Sequence, residues 1–389
     1  MFNLKQIVAY LVSISATLFL LGTPQVCMAG EECSIVIEMP DSTSCNSDHN
    51  NLTAAFTTTY DHFMNSDHRD HLGRLGARLQ DYTIIMVGGF LSGMGKLGGE
   101  RNFEEQAKFL KKLGLSEKEE DKNFQMSSVN TFQTIAYNIE KLRKDIQNAP
   151  KKVILIGHSM GGLEAVFALI GTSEELQKKV AGIITLQSPF KGSPIVDLVD
   201  HATTAKQRVA RALAYGVLEN PFKRIAGHAG SYNSFRDLRE SARIDFLDDP
   251  VNAQALDEIT KRIPVINLVG WKERGLGVHQ RDQGLNRNNY CLSRPVGRTS
   301  GAFYTNTLKI AARLFHDANS PDGEMNRIRN TDLMVPKDSQ KLGFNAKYVH
   351  QEGIDHLSMV MSSAYRPVDK VIATAALLEL LLNEIQNRF

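Results

Sequence analysis

Lys152-Val153-Ile154-Leu155-Ile156-Gly157-His158-Ser159-Met160-Gly161-Gly162 is the stretch that decides how this chain folds. Val153 to Ile156 is a short, branched, apolar run, the pattern of a strand buried on both faces. It runs directly into Gly-x-Ser-x-Gly, and residues 163–170 continue in helix-forming apolar residues. A sharp strand-to-helix turn pushes the Ser159 hydroxyl into the open, while Gly157 and Gly161 remove side chains that would collide around the bend. The helix starting there aims its N–H groups and positive dipole end at the same point. The bare motif is common by chance; its setting between a strand and a helix makes it specific. Ser159 is the candidate nucleophile.

Outward from this turn, further short runs rich in Ile and Val predict strands at 82–87, 181–186, 264–269 and 346–350. Apolar residues at helical spacing predict helices over 102–113, 129–147 and 368–385, the second stopped by Pro150. Strands alternating with helices imply an α/β fold, a mostly parallel central sheet with helices on both faces. Two long stretches interrupt the alternation, at about 195–249 and 271–329, and both read as insertions on one sheet. The domain runs from 76 to 389, and residues 30–75, polar and rich in Ser, Thr, Asn, Asp and His, read as a loop-rich lead-in.

A hydroxyl is a weak nucleophile and needs a base, itself oriented by an acid. After a Gly-x-Ser-x-Gly turn of this kind the partners follow in the order serine, acid, histidine. His356, in Gly353-Ile354-Asp355-His356, lies on a loop leaving the last expected strand and is the candidate base. His350 falls within that strand and His316 at a helix end, so both fit worse. Asp332, followed by Leu333-Met334-Val335-Pro336, suits a tight loop beyond a strand end and is the candidate acid. Asp282, Asp317 and Asp322 are its rivals. Asp355 adjoins His356 in the chain and points away from its ring in an extended loop.

With these residues in order, the chain resembles an α/β-hydrolase of the serine lipase/esterase type. The resemblance covers the core from Tyr82 to the final helix. It rests on Gly157-His158-Ser159-Met160-Gly161-Gly162, on Gln187-Ser188-Pro189-Phe190-Lys191-Gly192-Ser193-Pro194, on Asp332 with its Val-Pro tail, and on Asp355-His356. Similar lipases carry Thr-Pro-His-x-Gly-Ser in the second stretch, where this chain has Ser188 and Phe190. The resemblance implies an oxyanion hole made by the backbone N–H of Met160 and one from Val87-Gly88-Gly89-Phe90-Leu91, with Phe90 the donor by position and Leu91 the alternative. Gly88 stands where similar lipases have histidine. Leu91 and His158, which flank these donors, are assigned to the substrate side. The insertion at 195–249 sits where similar lipases carry a helical cap, so its apolar residues serve either an acyl channel or simple packing.

The activity so implied is ester hydrolysis through an acyl-enzyme, with acyl lipids as the first substrate class and no cofactor. A phospholipase, thioesterase or acyltransferase would use the same triad. A non-catalytic binding protein of this fold would be expected to lose the serine or the histidine, and a serine peptidase is the remaining alternative.

Gly93-Met94-Gly95-Lys96-Leu97-Gly98 matches the dinucleotide pattern Gly-x-Gly-x-x-Gly, but 116–121 is a charged run with no apolar strand before it, so nucleotide binding is not expected. No His/Cys/Asp spacing suggests a metal site. With Lys+Arg 45 against Asp+Glu 43, net charge +2, 42% hydrophobic and 23% charged residues, the chain is ordinary globular protein with no charge imbalance that would draw nucleic acid. Transient contact with a lipid surface follows only from the substrate class.

Residues 1–29 read as a secretory signal: Lys5, an apolar run to Gly22, Pro24, then Cys27-Met28-Ala29. The run, ~16 residues, is shorter than the roughly 20 that a spanning helix needs. Export to the periplasm or medium is therefore expected. Four cysteines are too few for a disulfide scaffold. After cleavage at Ala29, Cys33 and Cys45 are the expected local pair, leaving Cys291 alone.

Overall fold

The structure, a computed structural model, describes residues 48–65, 69–89, 102–130, 133–194, 196, 236–271, 331–332, 334–356, 358–360 and 368–388. Six strands form one sheet in the order β2-β1-β3-β4-β5-β6. They are β1 (Tyr82–Val87), β2 (Phe124–Met126), β3 (Lys152–His158), β4 (Val180–Leu186), β5 (Val265–Trp271) and β6 (Lys347–Glu352). Every pairing among them is parallel. This is the α/β arrangement of a parallel central sheet with helices on both faces that the sequence implied.

Alternating residues of each strand face opposite layers, as the two-residue period demands. Ile85, Val87, Val153, Leu155, Ile183 and Val265 pack in one core. It is covered by α4 (Ile135–Asn148), α5 (Met160–Phe167) and α8 (Pro250–Arg262). Ile84, Met86, Ile154, Ile156, Ile184 and Ile266 pack in the other. There the cover is α1 (Thr53–Asn65), α2 (Arg69–Leu79), α3 (Glu104–Lys112) and α9 (Lys370–Gln386). β4 is buried at every position, which explains its unbroken apolar run. The short α6 (Glu174–Lys179) and α7 (Glu240–Asp248) complete the described helices.

Local chemistry sets the helix ends. Thr134 caps α4 by accepting from the Tyr137 N–H, so this helix starts later than the apolar pattern from 129 suggested. Asp249 accepts from the Val251 and Asn252 N–H groups at the head of α8, with Pro250 in its first turn. Asp369 does the same for α9.

One expectation needs correction. The lead-in expected to be loop-rich is helical over 53–65 and 69–75, the second helix running on to Leu79, because Phe56 and Phe63, two turns apart on α1, are buried against the core that α9 caps. Tertiary burial outweighs the weak helix propensity of a Thr-rich segment. No strand stands between the helix at Glu104–Lys112 and the charged run at 116–121; β2, three residues long, follows that run. It ends in Ser127 and Ser128, which bind Asp145 of α4 instead of offering the carboxylate that a dinucleotide ribose requires. The glycines at 93–98 lie outside the described residues. So do residues 1–47 with Cys33 and Cys45, residues 197–235 of the insertion expected as a cap at about 195–249, and residues 272–330 with Cys291, Asp282, Asp317, Asp322 and His316.

Candidate active site

β2 and β3 flank β1, so the chain order reverses between β1 and β3 and leaves a crevice at their carboxyl ends. Ser159 stands there, on the first residue past β3. Its backbone is at φ 53°, ψ −127°, outside the ordinary regions for an L-residue, and such strain costs about 1–3 kcal/mol. The bend is held by Ser159 N–H to the Leu186 carbonyl at 2.9 Å and Gly162 N–H to the Ser159 carbonyl at 3.0 Å. The glycines are required by contact. A Cβ on Gly161 would stand 2.3 Å from the Val87 oxygen, and one on Gly157 2.4 Å from the Gly161 oxygen.

Three predicted residues come together over this bend. The Ser159 hydroxyl donates to His356 Nε2 at 2.9 Å, and the His356 Nδ1–H donates to Asp332 Oδ2 at 2.8 Å. The second contact requires the Nδ1–H tautomer, which leaves the Nε2 lone pair facing the serine. All three side chains are buried: 7% exposed for Ser159, 5% for His356 and 0% for Asp332.

Burying the Asp332 carboxylate is costly unless its lone pairs are filled. Here they are. Oδ1 accepts from the Met334 and Val335 N–H groups at 3.0 and 2.7 Å, and Oδ2 from Gln187 Nε2 at 3.1 Å as well as from His356. The loops are also strapped together by the His356 N–H bonding to the Asp332 carbonyl at 2.8 Å.

Gln187 is the residue that the sequence reading missed. It sits at φ 52° just past β4, fully buried, and its amide reaches both Asp332 Oδ2 and the Asp355 carbonyl (2.9 Å). The only sequence signal was its place at the start of the strand-end stretch Gln187 to Pro194. The rest of that stretch ties down the acid loop. Ser193 Oγ donates to the Met334 carbonyl at 2.6 Å, and Ser339 Oγ to the Gly192 carbonyl at 2.5 Å. Phe190 fills the core against Phe167, with ring centroids 6.3 Å apart.

As the first residue of α5, Met160 has an N–H with no carbonyl partner inside its helix, which frees it for an oxyanion. Phe90 and Leu91 lie outside the described residues; the loop before them passes close, since a Cβ on Gly89 would stand 2.7 Å from Ser159 Cβ. His158, assigned to the substrate side, is buried beside the site, with its Nε2–H donated to the His356 carbonyl at 2.6 Å. Burial pushes its imidazole down to about 3, the neighbouring His356 adding to the effect. His350, the rejected base, packs edge-on against Trp271 of β5 and at a tilt against Tyr348 of its own strand, β6. Among the described residues no group of three His, Cys, Asp or Glu is arranged to hold a metal ion.

The family described as the PGAP1-like alpha/beta domain matches residues 119–215, a span that includes β2, β3, Ser159 and β4. Among solved structures, the chain is similar to the mature form of the Bacillus licheniformis lipase BlEst2, with 16% identity over 79% of this chain and 92% of that one, at a TM-score of 0.45. It is also similar to the metagenomic carboxyl esterase MGS0156, at 13% identity, 79% and 75% coverage, and a TM-score of 0.46. Phospholipase PlaB from Legionella pneumophila matches at 13% identity, 79% and 63% coverage, and a TM-score of 0.39. No curated protein sequence matches the chain.

Proposed function

We propose that this protein is a serine hydrolase that cleaves carboxylic esters, with acyl lipids the first substrate class. The observation that carries the reading is the unbroken relay from the Ser159 hydroxyl through His356 to buried Asp332, with contacts of 2.9 and 2.8 Å. In this reading His356 Nε2 takes the Ser159 proton as the oxygen attacks the ester carbonyl. The developing oxyanion lies against the Met160 N–H at the head of α5, with the Phe90 N–H proposed as the second donor; removing one such donor costs about 3 kcal/mol of transition-state stabilisation. The imidazolium then protonates the leaving alkoxide. Water, deprotonated by the same ring, releases the acid and restores the serine. Asp332 keeps the ring oriented and stabilises its charged form. The relay itself calls for no metal or organic cofactor.

Cleavage of the 1–29 segment and export belong to the same proposal, as does a passing encounter with a lipid surface. An intact mass starting after Ala29, measured on protein recovered from outside the cytoplasm, is the expected result for export. For the chemistry, p-nitrophenyl esters of graded chain length are hydrolysed by the purified protein and not by Ser159→Ala. Long-chain preference supports acyl lipids. Turnover that survives Ser159→Ala refutes the assignment.

A further inference from the structure

The acyl-transfer scheme leaves one buried histidine without a task. His158 ends β3 and is 2% exposed, and its ring lies 4.9 Å from that of His356, centroid to centroid. A neutral imidazole has one N–H and one lone pair. The N–H is committed to the His356 carbonyl at 2.6 Å. The lone pair on Nδ1 has no partner among the described residues and faces the loop leaving β1, where a Cβ on Gly89 would stand 3.1 Å away. The ring thus lies between that loop and the loop carrying the base.

Besides its Nε2 contact with the Ser159 hydroxyl, His356 is held through three contacts. Its ring binds Asp332, its N–H binds the Asp332 carbonyl, and its own carbonyl binds His158. The first two attach it to the acid loop. Of these three, only the last reaches the end of the strand that leads to the nucleophile, at the residue next to Ser159 in the chain. The distance between Nε2 and the serine oxygen therefore depends on it.

We propose that His158 is a positioning residue for the hydrolase read above, clamping the base loop to the nucleophile strand through its Nε2–H. Its low proton affinity suits the task, because a second cation beside the imidazolium formed during acyl transfer would oppose it. Burial, rather than a charged partner, is the first cause of that neutrality.

Two variants separate the clamp from mere packing. Glutamine places an amide N–H near the Nε2 position and keeps the clamp; asparagine ends near Nδ1 and loses it. Both are compared with the wild type for kcat, KM and melting temperature on a p-nitrophenyl ester. His158→Gln is expected to keep kcat within about threefold. His158→Asn is expected to lose about tenfold to a hundredfold in kcat at nearly constant KM, the scale of a misplaced catalytic group. Wild-type kcat in His158→Asn overturns the proposal, as does a loss shared equally by both variants and tracking their melting temperatures. A readout independent of turnover is the low-field proton resonance of the His356 Nδ1–H bonded to Asp332. It is expected to move in His158→Asn and stay in His158→Gln, and the same position in both variants overturns the clamp. If the wild type hydrolyses no ester, the hydrolase reading fails while the resonance still decides the clamp.

Discussion

Gln187 donates its side-chain amide to Asp332 across 3.1 Å, from a backbone held at a left-handed φ of 52°. Neither residue is near the other in sequence, and both are fully buried. The strain at Gln187 and the buried carboxyl make sense together: the bend past β4 brings an N–H to an oxygen that has no access to water.

Removing that donor leaves the carboxylate with one contact fewer. Gln187→Ala is expected to lower kcat about tenfold or more, the worth of a hydrogen bond to a charged group, with little change in KM. Asp332→Asn goes further. It disturbs the tautomer of His356 and is expected to cut kcat by about 10³–10⁴-fold while the protein stays folded. Steady-state kinetics with circular dichroism check both. Near-wild-type kcat in Asp332→Asn would remove the acid from the account.

Glu164 on α5 is buried, and burial with the nearby Asp237 raises its carboxyl to about 8 despite a 2.6 Å hydrogen bond from Asn138. The folded protein therefore keeps a proton that the unfolded chain loses near the ordinary value of 4.5. Between those two values the native state binds more protons than the unfolded state, so stability falls as pH rises and levels off above about 8. The loss is on the order of a few kcal/mol. Glu164→Gln is expected to flatten this slope and to exceed the wild type in stability at pH 8. Urea melts at pH 5 and pH 8 provide the measurement; equal slopes in both proteins would contradict it.

Two glycines should respond in opposite ways to alanine. At Gly89 the added Cβ would meet Ser159 Cβ at 2.7 Å and the His158 oxygen at 2.9 Å. Gly89→Ala is expected to push the nucleophile out of line and cost up to about a hundredfold in kcat. At Gly73, inside α2, nothing lies within 4 Å of the new methyl. Gly73→Ala is expected to stabilise the protein by about 0.5–1 kcal/mol, read from the denaturant midpoint.

What the sequence made legible was whatever a local pattern enforces. β1, β3, β4 and β5 are apolar runs buried on both faces, and a run of that kind has few other uses. The Ser159 bend was equally plain, because Gly157 and Gly161 are forced by contacts with adjoining backbone. Asp332 and His356 could be reached through chain order and loop position. β2 could not: at three residues, buried at only one end, it leaves no periodic trace. α1 hid behind threonines, since only Phe56 and Phe63 mark its buried face. α8 is marked in the sequence by Asp249-Pro250, a cap followed by a first-turn proline. Gln187 is of another kind. Its amide has no chemistry to advertise, and its role exists only once three loops meet.

A fluorophosphonate probe followed by peptide mass spectrometry tests the central claim most directly. The account predicts a single phosphonylated side chain, Ser159, with labelling slowed sharply when His356 is replaced by alanine. A folded protein that remains unlabelled, or that carries the adduct on another residue, would contradict it.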